Sequence, residues 1–137
     1  MAGERGIVVV HERSRVVHVD DDPDVRMIIR MIIDGEPDLE VISCASADEV
    51  RGVVETTRVD LLLIDVMMPG TDGPALLAEL RTRPGLASVP AVFVTAKAHQ
   101  TDLAALRATT ATDVIVKPFE ATAFAASLRR YASARAL

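Results

Sequence analysis

Short apolar runs alternate along this chain with longer segments whose apolar residues recur at helical spacing, and this pair of patterns occurs five times. The first run, 16–19, is followed by Asp22 and Pro23, where Asp22 can cap a helix that begins at Pro23. The residues at i, i+3, i+4 and i+7 predict the buried stripe of this helix: Val25, Ile28, Ile29 and Ile32. Gly35 and Pro37 are stop signals that predict its end.

The second and third units repeat the order of strand and helix. Residues 39–44 alternate partly between apolar and polar side chains, as an edge strand does. Ser46 and Glu49 have the spacing of a capping box and predict the start of a helix. The buried side of this helix is predicted to carry Val50, Val53 and Val54. Residues 61–64 are all apolar and are followed by Asp65. A continuous apolar run of this kind predicts a strand that is covered on both faces.

The helix of the third unit and the last two units complete the pattern. Pro74 opens a third helix that Pro84-Gly85 closes, and its inward residues are predicted to be Leu76, Leu77 and Leu80. A strand over 91–95 precedes a helix over roughly 98–108, whose apolar stripe is weak. A fifth strand, 114–116, leads through Lys117-Pro118 into a last helix. That helix is predicted to bury Phe124, Leu128 and Tyr131.

Five strand–helix units predict an α/β fold, a doubly wound five-stranded parallel sheet with right-handed crossovers and helices on both faces. Half of the residues are hydrophobic but only 3% are aromatic, so the core must be built from aliphatic side chains. In sheets of this kind, ligands bind at the carboxyl ends of the strands. The chemistry is therefore expected at that edge.

Charge and cysteine content narrow the class of protein. The formal net charge of −5 argues against general nucleic-acid binding, which depends on Lys and Arg. Cys44 is the single cysteine, so no internal disulfide can form, and a reducing compartment is expected. No apolar run is long enough for a secretion signal or a membrane span. A soluble, cytoplasmic protein without membrane insertion is expected.

Polar residues follow four of the predicted strands. Asp20 and Asp21 come after the first strand, Asp65 after the third, Thr95 after the fourth and Lys117 after the fifth. Three carboxylates in one pocket repel one another, so at least one is expected to have a raised pKa. A hard divalent cation removes this repulsion, and Mg²⁺ suits a site that leaves room for water and phosphate. The set is suited to the transfer of a phosphoryl group onto a carboxylate.

Four segments resemble the motifs of response-regulator receiver domains, in the order and spacing of that family. They are Val19-Asp20-Asp21-Asp22, Leu63-Ile64-Asp65-Val66-Met67-Met68-Pro69-Gly70-Thr71-Asp72-Gly73, Val94-Thr95-Ala96 and Val116-Lys117-Pro118-Phe119. The match runs from about Arg15 to about Tyr131, and four motifs in register are highly specific. The resemblance implies a flavodoxin-like sheet of order 2-1-3-4-5 with five helices.

The resemblance also implies a role for each residue of the metal site. Asp65 would be the phosphoacceptor. Asp21 and Asp65 would bind Mg²⁺ directly, with the backbone carbonyl of Met67 as a third ligand. Asp20 would act mainly through water.

The remaining site residues would hold the phosphoryl group. The Thr95 hydroxyl and the Ala96 amide would bind phosphoryl oxygens, and Lys117 would pair with them. The Lys117-Pro118 bond is expected to be cis, as the family pattern implies.

The resemblance implies a phosphoryl-accepting response regulator of a two-component system or phosphorelay. The receiver domain would cover 15–137, after an N-terminal extension at 1–14. The phosphodonor would be a histidine kinase or a histidine phosphotransfer protein. Since no output domain is expected, phosphorylation would switch a face that binds a downstream protein. The chain would be a signalling switch and not an enzyme, catalysing only its own phosphoryl acceptance and slow dephosphorylation.

Three other functions fit the residues less well. A haloacid-dehalogenase-type phosphatase needs a second aspartate two residues after its nucleophile, where this chain has Met67. A flavodoxin-like flavin carrier needs a phosphate-binding loop after the first strand, where Asp20, Asp21 and Asp22 would repel phosphate. A degenerate receiver that only binds partners would not need the complete set of carboxylates, hydroxyl and ammonium.

The histidines and the cysteine are expected to have structural roles and not roles in the site. His11, His18 and His99 show no spacing typical of metal ligands. His18, within the first strand, is expected to be hydrogen-bonded and partly buried, and His99 to lie on the surface. Cys44 is expected to be a small buried apolar residue.

Overall fold

The computed structural model describes residues 13–96 and 99–136. Within them the chain forms five strands and five helices in strict alternation. The strands are β1 (Ser14–Val19), β2 (Leu39–Cys44), β3 (Leu61–Asp65), β4 (Ala91–Thr95) and β5 (Asp113–Val116). The helices are α1 (Pro23–Asp34), α2 (Ala47–Thr56), α3 (Gly73–Leu80), α4 (Gln100–Arg107) and α5 (Ala121–Ala136). Most of the predicted extension, 1–12, and His11 with it, lies outside the described residues.

All strand pairs are parallel, and the sheet order is β2-β1-β3-β4-β5, which confirms the predicted fold. β2 lies at an edge, as its partly alternating sequence predicted. Val19 pairs with Ile64, so the next residues, Asp20 and Asp65, lie side by side at the carboxyl ends of β1 and β3. Thr95 likewise pairs with Val116, one residue before Lys117. The register thus brings the polar strand ends to one edge.

The core consists of two mostly aliphatic layers, one on each face of the sheet. The first layer joins the sheet to α2, α3 and α4, and includes Val50, Leu77 and Leu106. The second joins it to α1 and α5, and includes Ile29 and Phe124. Each buried side chain of this size stabilises the fold by roughly 1.5–3 kcal/mol relative to exposure. In the part of the chain that the structure covers, no helix is long and apolar enough to span a membrane.

Helix α1 begins as predicted and turns most of the predicted stripe inward, since Val25 and Ile32 pack partly buried against the core beside Ile29. The Asp22 side chain accepts a hydrogen bond from the Asp24 amide and caps the helix. Ile29 and Ile33 are fully buried, whereas Ile28, which was predicted to be buried, is 53% exposed. Residues four apart stay on the face that contacts the sheet, while Ile28 lies about 100° around the helix from Ile29.

Helices α2 and α4 differ in how firmly they are anchored. Ser46 caps α2 by accepting from the Glu49 amide, and Glu49 in turn accepts from the Ala45 amide. Helix α4 begins at Gln100, after a cap residue that forms no side-chain capping bond. Leu106 is its only buried residue, which confirms the predicted weak apolar stripe.

Candidate functional site

Three aspartates meet at the carboxyl edge of the sheet. Each of Asp20, Asp21 and Asp65 offers a carboxylate oxygen, and these oxygens lie within 4.8 Å of one another. Asp20 and Asp65 are buried, with 1% and 7% of their surface exposed, while Asp21 is exposed. The cluster is therefore a pocket with two carboxylates inside and one at its rim.

Asp20 is fixed at each of its polar groups. Its amide donates to the Cys44 carbonyl at 3.1 Å, and its own carbonyl accepts from Nη1 of Arg26 at 2.7 Å. Oδ1 accepts from the Asp22 amide at 2.9 Å, and Oδ2 lies 3.3 Å from Nζ of Lys117. Because both oxygens already have donors, Asp20 is less available than its neighbours for direct contact with a cation.

Lys117 supplies a cation inside the acidic pocket. Its Nζ lies 3.3 Å from Oδ2 of Asp20 and 3.7 Å from Oδ1 of Asp65. Its amide donates to the Thr95 carbonyl at 2.7 Å, which ties the end of β5 to the end of β4. The Lys117-Pro118 bond is cis, as the resemblance implied. The ammonium can thus contact the Asp65 carboxylate and any anion bound beside it.

Thr95 is the last residue of β4 and Ala96 follows it, and β4 lies on the side of β3 away from β1 and its aspartates. Asp65 pairs with Val94, so Thr95 stands one residue further along β4, buried to 1% exposure. Ala96 follows in an exposed bend. The structure therefore places a hydroxyl and the loop that carries the Ala96 amide next to the acidic pocket.

The loop after Asp65 turns back sharply over the strand end. Met67 is 59% exposed, and its amide donates to the Asp65 carboxylate. The Gly73 amide donates to the Val66 carbonyl at 2.9 Å, and a Cβ on Gly73 would lie 2.5 Å from the Asp65 carbonyl oxygen. Only glycine fits there without a shift in the backbone. This role of Gly73 could not be predicted from the sequence, because a close approach of two backbone segments has no local sequence pattern.

Asp65 has an unusual acidity. Burial raises its pKa from the ordinary 3.8 to about 6, and the negative charges of Asp20 and Asp21 add to the increase. Lys117 and the amide of Met67 lower the pKa and offset part of this effect. The prediction that one carboxylate has a raised pKa is confirmed, but burial contributes more than repulsion.

His18 does not fit its sequence interpretation. It was expected to be hydrogen-bonded and partly buried, yet it is fully buried, and among the described residues neither ring nitrogen has a hydrogen-bond partner. Burial, with smaller effects from Lys117 and Arg26, lowers its pKa to about 3. The prediction was wrong because β1 lies between β2 and β3, where both faces of the strand are covered. Cys44 is buried, as predicted.

The donor set fits a small, hard cation. Carboxylate oxygens are the ligands that Mg²⁺ prefers, and three of them converge here. Asp21 lies at the rim of this cluster and Asp65 at its base. A parallel five-stranded sheet with this pocket and a lysine at its carboxyl edge defines the receiver class of α/β signalling domains.

Comparison with known proteins gives the same class. Residues 16–129 match the family described as "Response regulator receiver domain". The chain belongs to this family, whose members serve as signalling switches in two-component systems. The match covers every strand-end residue named above.

Similar proteins come from several bacteria. "Transcriptional regulatory protein YvrH" of Bacillus subtilis is 31% identical over 120 residues, which make up 88% of this chain and 49% of that protein. "DNA-binding response regulator MtrA" of Mycolicibacterium smegmatis is 34% identical over 118 residues, which make up 85% of this chain and 50% of that protein. The chain thus spans about half the length of these relatives.

A solved structure shows the same architecture. The receiver domain of a signal transduction histidine kinase from Syntrophus aciditrophicus has a TM-score of 0.79 and 26% identity. The alignment covers 88% of this chain and 91% of that one.

Proposed function

We propose that this chain is a phosphoryl-accepting switch in which Asp65 receives the phosphoryl group in a Mg²⁺-dependent reaction. The observation that carries the proposal is the position of Asp65 between a cation and two further carboxylates. Its Oδ1 lies 3.7 Å from Nζ of Lys117, and its carboxylate borders those of Asp20 and Asp21. Asp20 is occupied by its own hydrogen bonds and Asp21 lies at the rim, so Asp65 is the carboxylate best placed to attack.

The residues of the chain supply the nucleophile and its surroundings. One carboxylate oxygen of Asp65 forms a bond to phosphorus while the bond between phosphorus and the leaving group of the donor breaks, and that electron pair departs with the leaving group. Lys117 stays beside the transferred group, where negative charge gathers on its oxygens. The Thr95 hydroxyl and the Ala96 amide bind two of these oxygens in the proposal.

The metal site of the proposal uses the same pocket. Asp21, Asp65 and the Met67 backbone carbonyl would hold Mg²⁺, with Asp20 acting through water. When bound, the ion supplies positive charge that offsets the charges of the carboxylates and the phosphoryl group. The raised pKa of Asp65 supports this assignment because a nearby cation would favour the ionised form that attacks.

The proposal extends to partners and place of action. A histidine kinase or a histidine phosphotransfer protein would be the phosphodonor, and a downstream protein would read the phosphorylated state. Direct nucleic-acid binding is not part of the proposal, because the formal charge of the chain is −5. The lone Cys44 supports a cytoplasmic location. Chemistry by the chain would be limited to acceptance and slow loss of its own phosphoryl group.

Treatment with acetyl phosphate and Mg²⁺, followed by intact-mass analysis, tests the proposal. We expect the mass to increase by one phosphoryl group, and we expect EDTA to prevent the increase. Asp65→Asn should remain unlabelled. Asp38→Asn is the matched control, because Asp38 is exposed and precedes β2 at the opposite edge of the sheet. Labelling of Asp65→Asn, or labelling that EDTA does not reduce, would contradict the proposal.

A further inference from the structure

Arg26 connects α1 to the turn that carries two of the three aspartates. It lies near the start of α1 and is half-buried. Its Nη1 donates to the main-chain carbonyl of Asp20 at 2.7 Å, across six residues of sequence. A short hydrogen bond from a charged donor is among the stronger ones in proteins. Arg26 is therefore a fixed part of this turn and not a solvated surface residue.

This bond controls the direction in which the chain enters Asp21. The carbonyl of Asp20 and the amide of Asp21 belong to one rigid peptide plane. Arg26 holds the oxygen of that plane, while the Cys44 carbonyl and the Asp22 amide hold the other polar groups of Asp20. Asp21 itself is exposed at the rim. The orientation of that peptide plane sets the direction in which the Asp21 side chain leaves the backbone.

The charge of Arg26 and its hydrogen bond act on a bound cation in opposite directions. A guanidinium beside an acidic pocket repels Mg²⁺, so its charge alone would weaken metal binding. A donor that orients a ligating residue strengthens metal binding, because the ligand does not have to be ordered when the ion arrives. Whether replacing Arg26 weakens or strengthens Mg²⁺ binding therefore shows which of the two effects dominates.

We propose that Arg26 is a positioning residue for the magnesium site, which it serves by holding the Asp20–Asp21 peptide plane. The inference rests on the proposed function, in which Asp21 contacts the ion. It concerns the affinity of the metal-free protein for Mg²⁺, so it can be tested without a phosphodonor.

Titration calorimetry with Mg²⁺ alone tests this inference on the full chain. Arg26→Met keeps a long side chain but removes both the donor and the charge, and we expect it to weaken Mg²⁺ binding about tenfold. Arg26→Lys keeps the charge and one compact donor and should recover part of the loss. Arg30→Met is the matched control, because Arg30 is exposed on the same helix one turn further along. It should leave the affinity unchanged or slightly higher.

Three results would overturn the inference. These are an unchanged or tighter Mg²⁺ affinity in Arg26→Met, an equal loss in Arg30→Met, and a wild-type chain that does not bind Mg²⁺. If Arg26→Met does not fold, Arg26→Lys decides, because wild-type affinity in that variant would show that the hydrogen-bond geometry is not needed. Wild-type Mg²⁺ binding without phosphorylation would refute the proposed function and leave the Arg26 comparison intact.

Discussion

The burial of Asp65 links the chemistry of one residue to the stability of the domain. Its pKa is 3.8 in an ordinary setting and about 6 in the folded chain, with burial as the largest cause. A raised folded-state pKa means that the folded protein favours the protonated form. The stabilising contribution of this proton is therefore complete below pH 4 and is lost as the pH rises through about 6. At pH 8 and without metal, ionised Asp65 destabilises the fold.

We expect Asp65→Asn to raise the free energy of unfolding at pH 8 by about 1–3 kcal/mol without Mg²⁺. The amide keeps the shape of the side chain but carries no charge, so repulsion from Asp20 and Asp21 disappears. The gain should shrink as the pH is lowered toward 4, where wild-type Asp65 is protonated. Urea denaturation at a series of pH values measures it. A destabilised variant at pH 8, or a gain independent of pH, would show that the carboxylate is not strained in the fold.

The sequence predicted some residues of the site and missed others for a physical reason. Asp20, Asp21 and Asp65 could be grouped because the carboxyl ends of parallel strands meet at one edge. Arg26 and His18 could not be interpreted in this way. Their surroundings depend on how α1 packs against the sheet, and hydrophobic periodicity does not encode contacts of individual polar atoms.

Among the five helices, α4 has the fewest buried residues in the part of the chain that the structure describes. Leu106 is its only buried residue, and its first turn lacks a side-chain cap. An element with few buried contacts rearranges at low free-energy cost, so it is the natural one for phosphorylation to shift. Phosphorylation is expected to draw the Thr95 hydroxyl toward the phosphoryl group. Val114, in β5, has no aromatic ring that could move into the space that Thr95 would leave. The expected response is therefore a shift in populations and not a large displacement.

Amide hydrogen exchange with and without Mg²⁺ and beryllofluoride, a phosphoryl mimic, should show this response. Changes in protection are expected to concentrate between Thr95 and Thr112, because phosphoryl oxygens would draw the Thr95 hydroxyl inward and the following loop with it. Thr95→Ala should abolish these changes while Mg²⁺ binding persists. Changes confined to α1 and α2 would place the output face on the other side of the domain.

For the helices, the sequence predicted the first residue better than the face that is buried. Asp22 and Ser46 both cap the helices that they were predicted to cap, because a cap is a local hydrogen bond. Three residues of the predicted stripe of α1 face the core, but Ile28 was predicted to be buried where Ile33 is, because several apolar residues compete for the same face. Which of them is buried depends on how the helix axis lies against the sheet.

For the molecule as a whole, the acidic pocket couples folding to metal binding. Two buried carboxylates and one at the rim repel in the metal-free chain, and a cation that binds only the folded state stabilises it. The fold thus retains a local conflict of charges at its functional edge, while the rest of the core is mostly aliphatic. Stability should therefore respond to Mg²⁺ through this pocket.

We expect Mg²⁺ at ten times its Kd to raise the melting temperature by roughly 5 °C. Asp21→Asn should relieve repulsion in the metal-free protein and also reduce this Mg²⁺-dependent shift, because it removes a ligand. Asp24→Asn, an exposed position in the first turn of α1, is the control and should keep the full shift. Differential scanning calorimetry measures both effects. An undiminished shift in Asp21→Asn would exclude Asp21 as a ligand.

Locating the phosphoryl group within the chain tests whether Asp65 is the phosphoacceptor. Borohydride reduces an aspartyl phosphate to homoserine, and tandem mass spectrometry of the tryptic peptide 59–81 then identifies the modified residue. This peptide also contains Asp60 and Asp72, which serve as internal controls. After treatment with acetyl phosphate and Mg²⁺, we predict reduction at Asp65 alone. Reduction at Asp60 or Asp72, or at an aspartate outside this peptide, would contradict the assignment of Asp65 as the phosphoacceptor.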